Sequence, residues 1–251
     1  MPSSIRSQRG VTSRRRLPQR KFPGQSATNA FKARVDVQIF AKAPVPGQVK
    51  TRLQPLLGDA AAELHAELVR DLVRRLATLP ARFRLQLWAT DHATQCFYAS
   101  LLRQYPRLRW RRQVEGNLGQ RMLSSLERTS SAAATVIVGT DCAVLTAAHV
   151  SAAARWCALA PMRSYFVPAE DGGYVLSAHS GVHPRMFDNI AWSTSEVLQQ
   201  AHEQHWRCGF TLAQPAVRLW DIDTPMDYLR YRRYAESINN TVTGAESTEL
   251  D

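Results

Sequence analysis

The chain has 251 residues and a formal net charge of +11, an excess of the kind that nucleic-acid-binding proteins carry. Nine of the 32 basic residues lie within residues 1–34, where there is no acidic residue, so 23 basic residues face 21 acidic ones in the remainder. That remainder has a charge of only +2, which argues against a nucleic-acid-binding surface on the folded part. No apolar run approaches the ~20 residues that a membrane span requires.

Residues 1–34 are rich in Ser, Arg, Gln, Pro and Gly and poor in apolar side chains. This composition predicts a disordered basic tail, and an arm that binds nucleic acid or an anionic surface is the alternative. The tail lacks a secretory signal, and the four widely spaced cysteines indicate neither a disulfide framework nor a zinc site, so we expect a cytoplasmic protein. We predict a single domain at 35–236 and a frayed polar tail at 237–251.

Strand-like segments alternate with helix-like segments after the basic tail. The predicted strands are 35–40, 84–89, 108–111, 135–138, 164–167, 174–176, 210–212 and 217–219. The predicted helices are 59–79, 92–104, 119–131, 146–159, about 194–206, which the S-x-x-E capping box at 193–196 would open, and one that begins at Pro225. This alternation implies an α/β fold, in which a mostly parallel central sheet has helices on both faces.

The loop between the first strand and the first helix is the most informative segment. It carries Lys42, Lys50 and Arg52 and no acidic residue, and Gly47 lets its backbone turn or approach a ligand closely. Open α/β sheets bind ligands at the carboxyl ends of their strands, and pre-organised cations there suit a nucleotide pyrophosphate. The chain has neither a G-x-G-x-x-G dinucleotide loop nor a P-loop, which argues against a nicotinamide dehydrogenase and a P-loop NTPase.

Two acidic segments are candidates for holding a divalent cation. Asp141 follows the predicted strand 135–138 and would face the ligand crevice, although an aspartate that merely caps a turn is an equal alternative. Asp221 and Asp223 share a face if their segment is extended, and one of them would complete the metal site. Asp223 could instead cap the last helix.

Two glycine-containing segments are candidates for contact with a substrate. Residues 170–174 (Glu-Asp-Gly-Gly-Tyr) allow a close backbone approach beside two acids, and a simple β-turn is the alternative. Residues 115–121 (Glu-Gly-Asn-Leu-Gly-Gln-Arg) could place a nucleoside against backbone and add a phosphate contact from Arg121, or they could be an ordinary loop that enters a helix. Trp192 would be either a core residue or part of an acceptor wall.

Six motifs together resemble one protein family. They occur in the order F-A-K-A-P-V-P-G-Q-V-K-T-R-L, E-G-N-L-G-Q-R-M, G-T-D-C, P-A-E-D-G-G-Y-V-L, F-D-N-I-A-W-S-T-S-E-V and D-I-D-T-P-M-D-Y. This set is similar to that of a bacterial family described as glycosyltransferases, some of them connected with arsenosugar biosynthesis. The family belongs to the nucleotide-diphospho-sugar transferase superfamily and has the GT-A fold, and the resemblance covers about residues 35–232.

The resemblance implies a role for each matching residue. The implied nucleotide-binding residues are Lys42, Gly47, Lys50, Arg52, Gly116, Asn117, Gly119 and Arg121. Asp141 and Asp223 would hold Mg²⁺ or Mn²⁺, and Asp171 would be the catalytic carboxylate. The implied substrate contacts are Gly172, Gly173, Tyr174, Trp192 and Ser193. The chain departs from the family at Ala143, where we expect proline, and at Ser177 and Ala178, where we expect Ile-Gly.

The implied activity is the metal-dependent transfer of a sugar from a nucleotide-diphospho-sugar donor to a small-molecule acceptor. The metal would neutralise the diphosphate leaving group, and Asp171 would deprotonate an acceptor hydroxyl. Two alternatives remain open. One is a nucleotidyltransferase that joins an NTP to a phosphorylated small molecule, and the other is a non-catalytic relative that binds a nucleotide.

Overall fold

The computed structural model of the chain describes residues 33–89 and 95–246, so residues 1–32 and residues 92–94 of the second predicted helix lie outside the described part. The strands are β1 (Val35–Ala41), β2 (Phe83–Ala89), β3 (Arg109–Arg112), β4 (Ala134–Gly139), β5 (Arg163–Pro168), β6 (Tyr174–His179) and β7 (Thr211–Ala213). The helices are α1 (Gln54–Leu57), α2 (Ala60–Leu76), α3 (Gln95–Gln104), α4 (Leu118–Glu127), α5 (Ala147–Ala158), α6 (Val197–Arg207) and α7 (Pro225–Glu246), and a 3₁₀ turn (Thr51–Leu53) precedes α1.

The strands form one sheet in the order β3-β2-β1-β4-β6-β5-β7, in which only β6 runs antiparallel to its neighbours. Alternate residues of β4 show that both faces of the sheet are covered. Val136 and Val138 belong to a core cluster with residues of α2, α3 and α5, whereas Ile137 belongs to a second cluster with residues of α4 and α6. The predicted fold class, an α/β domain with a mostly parallel sheet between helices, is confirmed.

The strand register brings several loops to one edge of the sheet. Phe40 in β1 pairs with both Trp88 in β2 and Gly139 in β4, so the loops after β1 and β4 leave the sheet side by side. Because β5 and β7 run in the same direction as β4, residues 169–173 and 214–224 also follow strands at this edge. The loops that carry the predicted site residues therefore meet at the carboxyl edge of the sheet.

The prediction of a capping box at 193–196 is wrong. Helix α6 begins at Val197, its N-cap residue Glu196 makes no side-chain cap, and Ser193 has a left-handed φ of 68°. The N–H of Leu198 instead donates to the carbonyl oxygen of Gly172 at 3.0 Å. The turn between β5 and β6 thus accepts a hydrogen bond from a backbone N–H in the first turn of this helix. The prediction had assigned the capping of this helix to the side chains of residues 193–196.

The segment 217–219 is not a strand, contrary to the prediction. Leu219 forms an isolated parallel bridge with Ala169, and the chain then turns so that the N–H of Ile222 donates to the carbonyl of Asp141 at 3.0 Å. Pro225 is the first residue of α7, as predicted, and that helix continues to Glu246, past the predicted domain boundary at residue 236. No helix in the described part of the chain has the length and apolarity to cross a membrane.

Candidate active site

Lys50 joins the first loop to two of the predicted metal-binding acids. Its ammonium contacts the carboxylate of Asp141, and it donates to Asp223 Oδ1 at 3.1 Å and to the carbonyl of Ile222 at 2.7 Å. An ammonium has three N–H donors, so each of them has an acceptor within the protein. The Lys50 side chain is only 3% exposed, whereas the side chains of Asp141 and Asp223 are 41% and 44% exposed.

The carboxylates of Asp141 and Asp223 each present two different oxygens. We call the Oδ1 atoms the inner oxygens because they face Lys50, and the Oδ2 atoms the outer oxygens. The inner oxygen of Asp141 is buried, so the exposed part of that carboxylate includes its outer oxygen. The pair therefore binds an internal cation through its inner oxygens, while both side chains remain partly exposed.

Burial and charge act in opposite directions on the acids of this site. Burial works to raise the pKa of Asp141, but the Lys50 ammonium and the His65 ring together outweigh it and hold that pKa well below its usual range. Burial raises the pKa of Asp221 to about 8, and the carboxylates of Asp141, Asp223 and Asp171 add to this shift. Asp221 is thus mostly protonated at neutral pH and belongs to the same electrostatic cluster as the three predicted acids.

Two residues that support Asp141 were not predicted from the sequence. His65 on α2 is buried, with Nε2 3.0 Å from the carbonyl of Lys42 and Nδ1 3.8 Å from the inner oxygen of Asp141. Arg75, also on α2, donates from its guanidinium to the carbonyl of Ala143 and so anchors the loop in which the chain lacks the expected proline. In the sequence, the feature that could have identified them is a polar side chain on the otherwise apolar face of α2.

The other two basic residues of the first loop, Lys42 and Arg52, differ from Lys50 in their surroundings. Lys42 and Arg52 have exposed side chains, and no hydrogen bond or ion pair of either side chain occurs among the described contacts. Gly47 adopts a φ of 77°, a turn conformation that glycine supplies without strain. Lys42 and Arg52 are therefore the cations of this loop that could reach an anionic ligand.

Residues 116–121 form the helix entrance after β3. Asn117 and Gln120 form a reciprocal capping box, with Asn117 Oδ1 accepting from the Gln120 N–H at 3.0 Å. Arg121 is half-buried and donates to Gln113 Oε1 at 3.2 Å. These contacts fix the loop, and they engage the side chains of Asn117 and Arg121, whereas the backbone at Gly116 is exposed.

The predicted substrate segment beside Asp171 is a turn that packs against the start of α6. Asp171 is exposed, and its Oδ1 accepts from the Gly173 N–H at 2.8 Å. Gly172 has a φ of 91°, and a Cβ there would lie 2.1 Å from the carbonyl oxygen of Ser195. The Tyr174 hydroxyl, in contrast, is buried 3.9 Å from Met122 Sδ, and burial raises its pKa, so it faces the core.

Two further predicted substrate residues lie close to these segments. A Cβ on Gly119 would lie 3.0 Å from Trp192 Cζ2, so the Trp192 ring packs against the entrance of α4. Ser193 is exposed next to it. The Trp192 ring therefore packs against the predicted nucleoside loop, and Ser193 of the predicted acceptor side follows it in the chain.

Replacing Gly172 with alanine should lower the free energy of unfolding by about 3 kcal/mol, because backbone atoms of Ser195 occupy the position of the new Cβ and the positive φ adds strain. Gly209 offers a matched control, since it has a similar φ of 85° with no atom within 4 Å of the Cβ position. Gly209→Ala should cost about 1 kcal/mol. Urea unfolding of the two variants measures the difference, and equal costs would contradict the packing of residues 172 and 195.

The residues at this edge fit a bound divalent cation. Magnesium usually binds through one or two carboxylates together with substrate phosphates, and the outer oxygens of Asp141 and Asp223 offer that donor set. No three His, Cys, Asp or Glu side chains within the described ranges converge as a complete metal cage. The donor set is therefore suited to a cation that is shared with a phosphorylated ligand.

Comparisons with known proteins agree with this fold. Residues 72–194 match the model of a family described as an uncharacterized protein conserved in bacteria (DUF2064). A structure from Desulfovibrio desulfuricans G20, provisionally described as a nucleotide-diphospho-sugar transferase, is 28% identical with a TM-score of 0.65, and the match covers 76% of this chain and 82% of that chain. The chain therefore has the fold of the nucleotide-diphospho-sugar transferase superfamily, as the motifs predicted.

Two more distant structures share the fold alone. A 4-diphosphocytidyl-2C-methyl-D-erythritol synthase from Anaerococcus prevotii DSM 20548 is 9% identical with a TM-score of 0.55, over 84% of this chain and 100% of that chain. A nucleotidyl transferase from Methanothermobacter thermautotrophicus is 13% identical with a TM-score of 0.51, over 80% of this chain and 97% of that chain. None of the curated proteins compared with the chain matches it.

Proposed function

We propose that the chain is a metal-dependent transferase that moves a sugar from a nucleotide-diphospho-sugar donor to a small-molecule acceptor. The observation that carries this proposal is the arrangement at the carboxyl edge of the sheet. There, a loop with exposed cations lies beside two partly exposed carboxylates that share the Lys50 ammonium through one oxygen each. The similarity to the structure from Desulfovibrio desulfuricans supports a transferase that acts on nucleotide-activated sugars.

In the proposed reaction, the bond between the sugar and the donor diphosphate breaks as the acceptor oxygen bonds to the sugar. Lys42 and Arg52 place positive charge beside the departing diphosphate. Asp141 and Asp223 would hold a magnesium or manganese ion, whose charge would stabilise the same departing group. The exposed carboxylate of Asp171 takes the proton of the acceptor hydroxyl, and the nucleoside diphosphate leaves.

The proposed site has two parts, one beside the exposed backbone at Gly116 and the other beside Ser193, which follows Trp192. The nucleoside would lie against residues 116–121, and the acceptor would lie on the side of Gly172, Gly173 and Ser193. These assignments follow the resemblance, and the proximity of Trp192 to Gly119 supports placing both parts in one cleft. The proposed domain for this activity is residues 35–236.

A nucleotidyltransferase is the second candidate, because solved nucleotidyl transferases share the fold. It would join an NTP to a phosphorylated small molecule and release pyrophosphate, whereas the proposed glycosyltransferase releases a nucleoside diphosphate. The first loop favours the glycosyltransferase, since it has two prolines and one glycine where many nucleotidyltransferases have a glycine-rich opening.

The experiment that tests the proposal is a thermal-shift screen of the full chain against NDP-sugars, NDPs and NTPs, each with Mn²⁺ and with EDTA. A ligand at 100 times its Kd stabilises the native state by about 2.7 kcal/mol and raises Tm. We expect a Mn²⁺-dependent shift with one NDP-sugar and its NDP. A shift with NTPs alone would favour the nucleotidyltransferase, and a bound nucleotide without any turnover would favour a non-catalytic relative.

A further inference from the structure

The backbone at Lys50 directs this lysine away from the solvent. Lys50 has φ and ψ of 49° and 38°, a left-handed conformation that is unfavourable for a residue with a Cβ. It immediately precedes the 3₁₀ turn Thr51–Leu53, and its side chain is buried while those of Lys42 and Arg52 are exposed. Such a conformation persists only where surrounding contacts outweigh its cost, and here these contacts are the two carboxylates and the Ile222 carbonyl.

We propose that Lys50 is a permanent internal counter-ion of the acidic site and a positioning residue, and that it does not contact the donor phosphates. Its ammonium holds the inner oxygens of Asp141 and Asp223, which leaves their outer oxygens for a divalent cation. The inference rests on the proposed function in one respect only, namely that the donor diphosphate would be the other ligand of this cation. It revises the role that the motif resemblance implies for Lys50.

The charges of the described residues support this role. Asp141, Asp223 and Asp171 lie close enough to Asp221 to raise its pKa, because like charges repel one another. Lys50 is the basic residue in ion-pair contact with two of them. A phosphate contact would require its ammonium to give up at least one of these three acceptors, which leaves the Ile222 carbonyl or a carboxylate without its partner.

Replacing Lys50 with methionine tests the proposal, because methionine keeps the length of the side chain and removes its charge. In EDTA we expect Lys50→Met to lower Tm by roughly 5–10 °C, since the two carboxylates lose their shared cation yet keep some contact with water. We expect Mn²⁺ to bind at least about tenfold more tightly than in the unchanged protein, as measured by electron paramagnetic resonance of free Mn²⁺. Arg233→Met, which removes an exposed cation of α7 that has no role in the proposed site, is the control and should change neither value.

A second variant separates an internal counter-ion from a lysine that only fills space. Adding Asp223→Asn to Lys50→Met removes one of the two unbalanced carboxylates, so the double variant should melt at a higher temperature than Lys50→Met alone. The proposal is overturned if Lys50→Met melts within about 2 °C of the unchanged protein, if its Mn²⁺ affinity is equal or weaker, or if the double variant is no more stable. These readouts need no nucleotide, so they still decide the role of Lys50 if no NDP-sugar binds.

Discussion

Replacing Asp141 with asparagine is expected to slow the release of nucleoside diphosphate from the donor by about a thousandfold. Asparagine keeps an oxygen that accepts from Lys50, so the fold should persist. The outer oxygen loses its charge, however, and a metal that stabilises the leaving group contributes several kcal/mol, of which about 4 kcal/mol corresponds to this factor. Steady-state kinetics with the donor found in the thermal-shift screen measure the change.

The control for Asp141→Asn is Asp59→Asn, an exposed aspartate before α2 whose side chain makes no capping bond. Its kinetics and its Mn²⁺ affinity should match those of the unchanged protein. Asp141→Asn should also weaken Mn²⁺ binding, which tests the metal role without any turnover. A variant at Asp141 that kept turnover within tenfold of normal would rule out this residue as a ligand of an essential metal.

Replacing Asp171 with asparagine should reduce turnover by about 10²–10⁴-fold and leave nucleoside diphosphate affinity nearly unchanged. The side-chain oxygen of asparagine can still accept from the Gly173 N–H, so the turn is kept while the proton acceptor is lost. Kinetics and calorimetric titration with the nucleoside diphosphate separate the two effects.

The adjacent acid provides a matched control for Asp171. Glu170 accepts from Arg230 with both carboxylate oxygens, at 2.7 and 3.1 Å, and this exposed pair lowers the pKa of Glu170. An exposed ion pair contributes little to stability, so Glu170→Gln should keep turnover within about threefold. If Glu170→Gln abolished transfer and Asp171→Asn did not, the two neighbouring acids would exchange roles.

Tertiary hydrogen bonds explain how the chain tolerates alanine at position 143. Ala143 replaces the expected proline after Asp141, and a more flexible loop would hold the carboxylate less firmly. The guanidinium of Arg75 bonds to the carbonyl of Ala143, and the carbonyl of Asp141 accepts from Ile222. Tertiary hydrogen bonds from two other segments thus restrain the loop that the missing proline would have stiffened.

The sequence by itself determined the alternation of strands and helices and hence the sheet. It also determined that the first loop, Asp141 and Asp171 follow strands, whereas the strand predicted before Asp223 is absent. Parallel strands place the segments that follow them at a common edge of the sheet. Hydrophobic periodicity and the order of the motifs were therefore enough to predict where these loops lie. The same reasoning failed at 193–196, because a capping motif describes only local bonds, and the partner of Leu198 is Gly172 in a distant turn.

Only the tertiary structure decided what each charged side chain contacts. Lys50 and Arg52 are equivalent cations in the sequence, but Lys50 is buried against a carboxylate 173 positions away while Arg52 is exposed. The same holds for His65, which a helical pattern assigns to the core and the fold places 3.8 Å from Asp141. Backbone conformation and long-range packing set these directions, and neither is encoded in the spacing of residues along one segment.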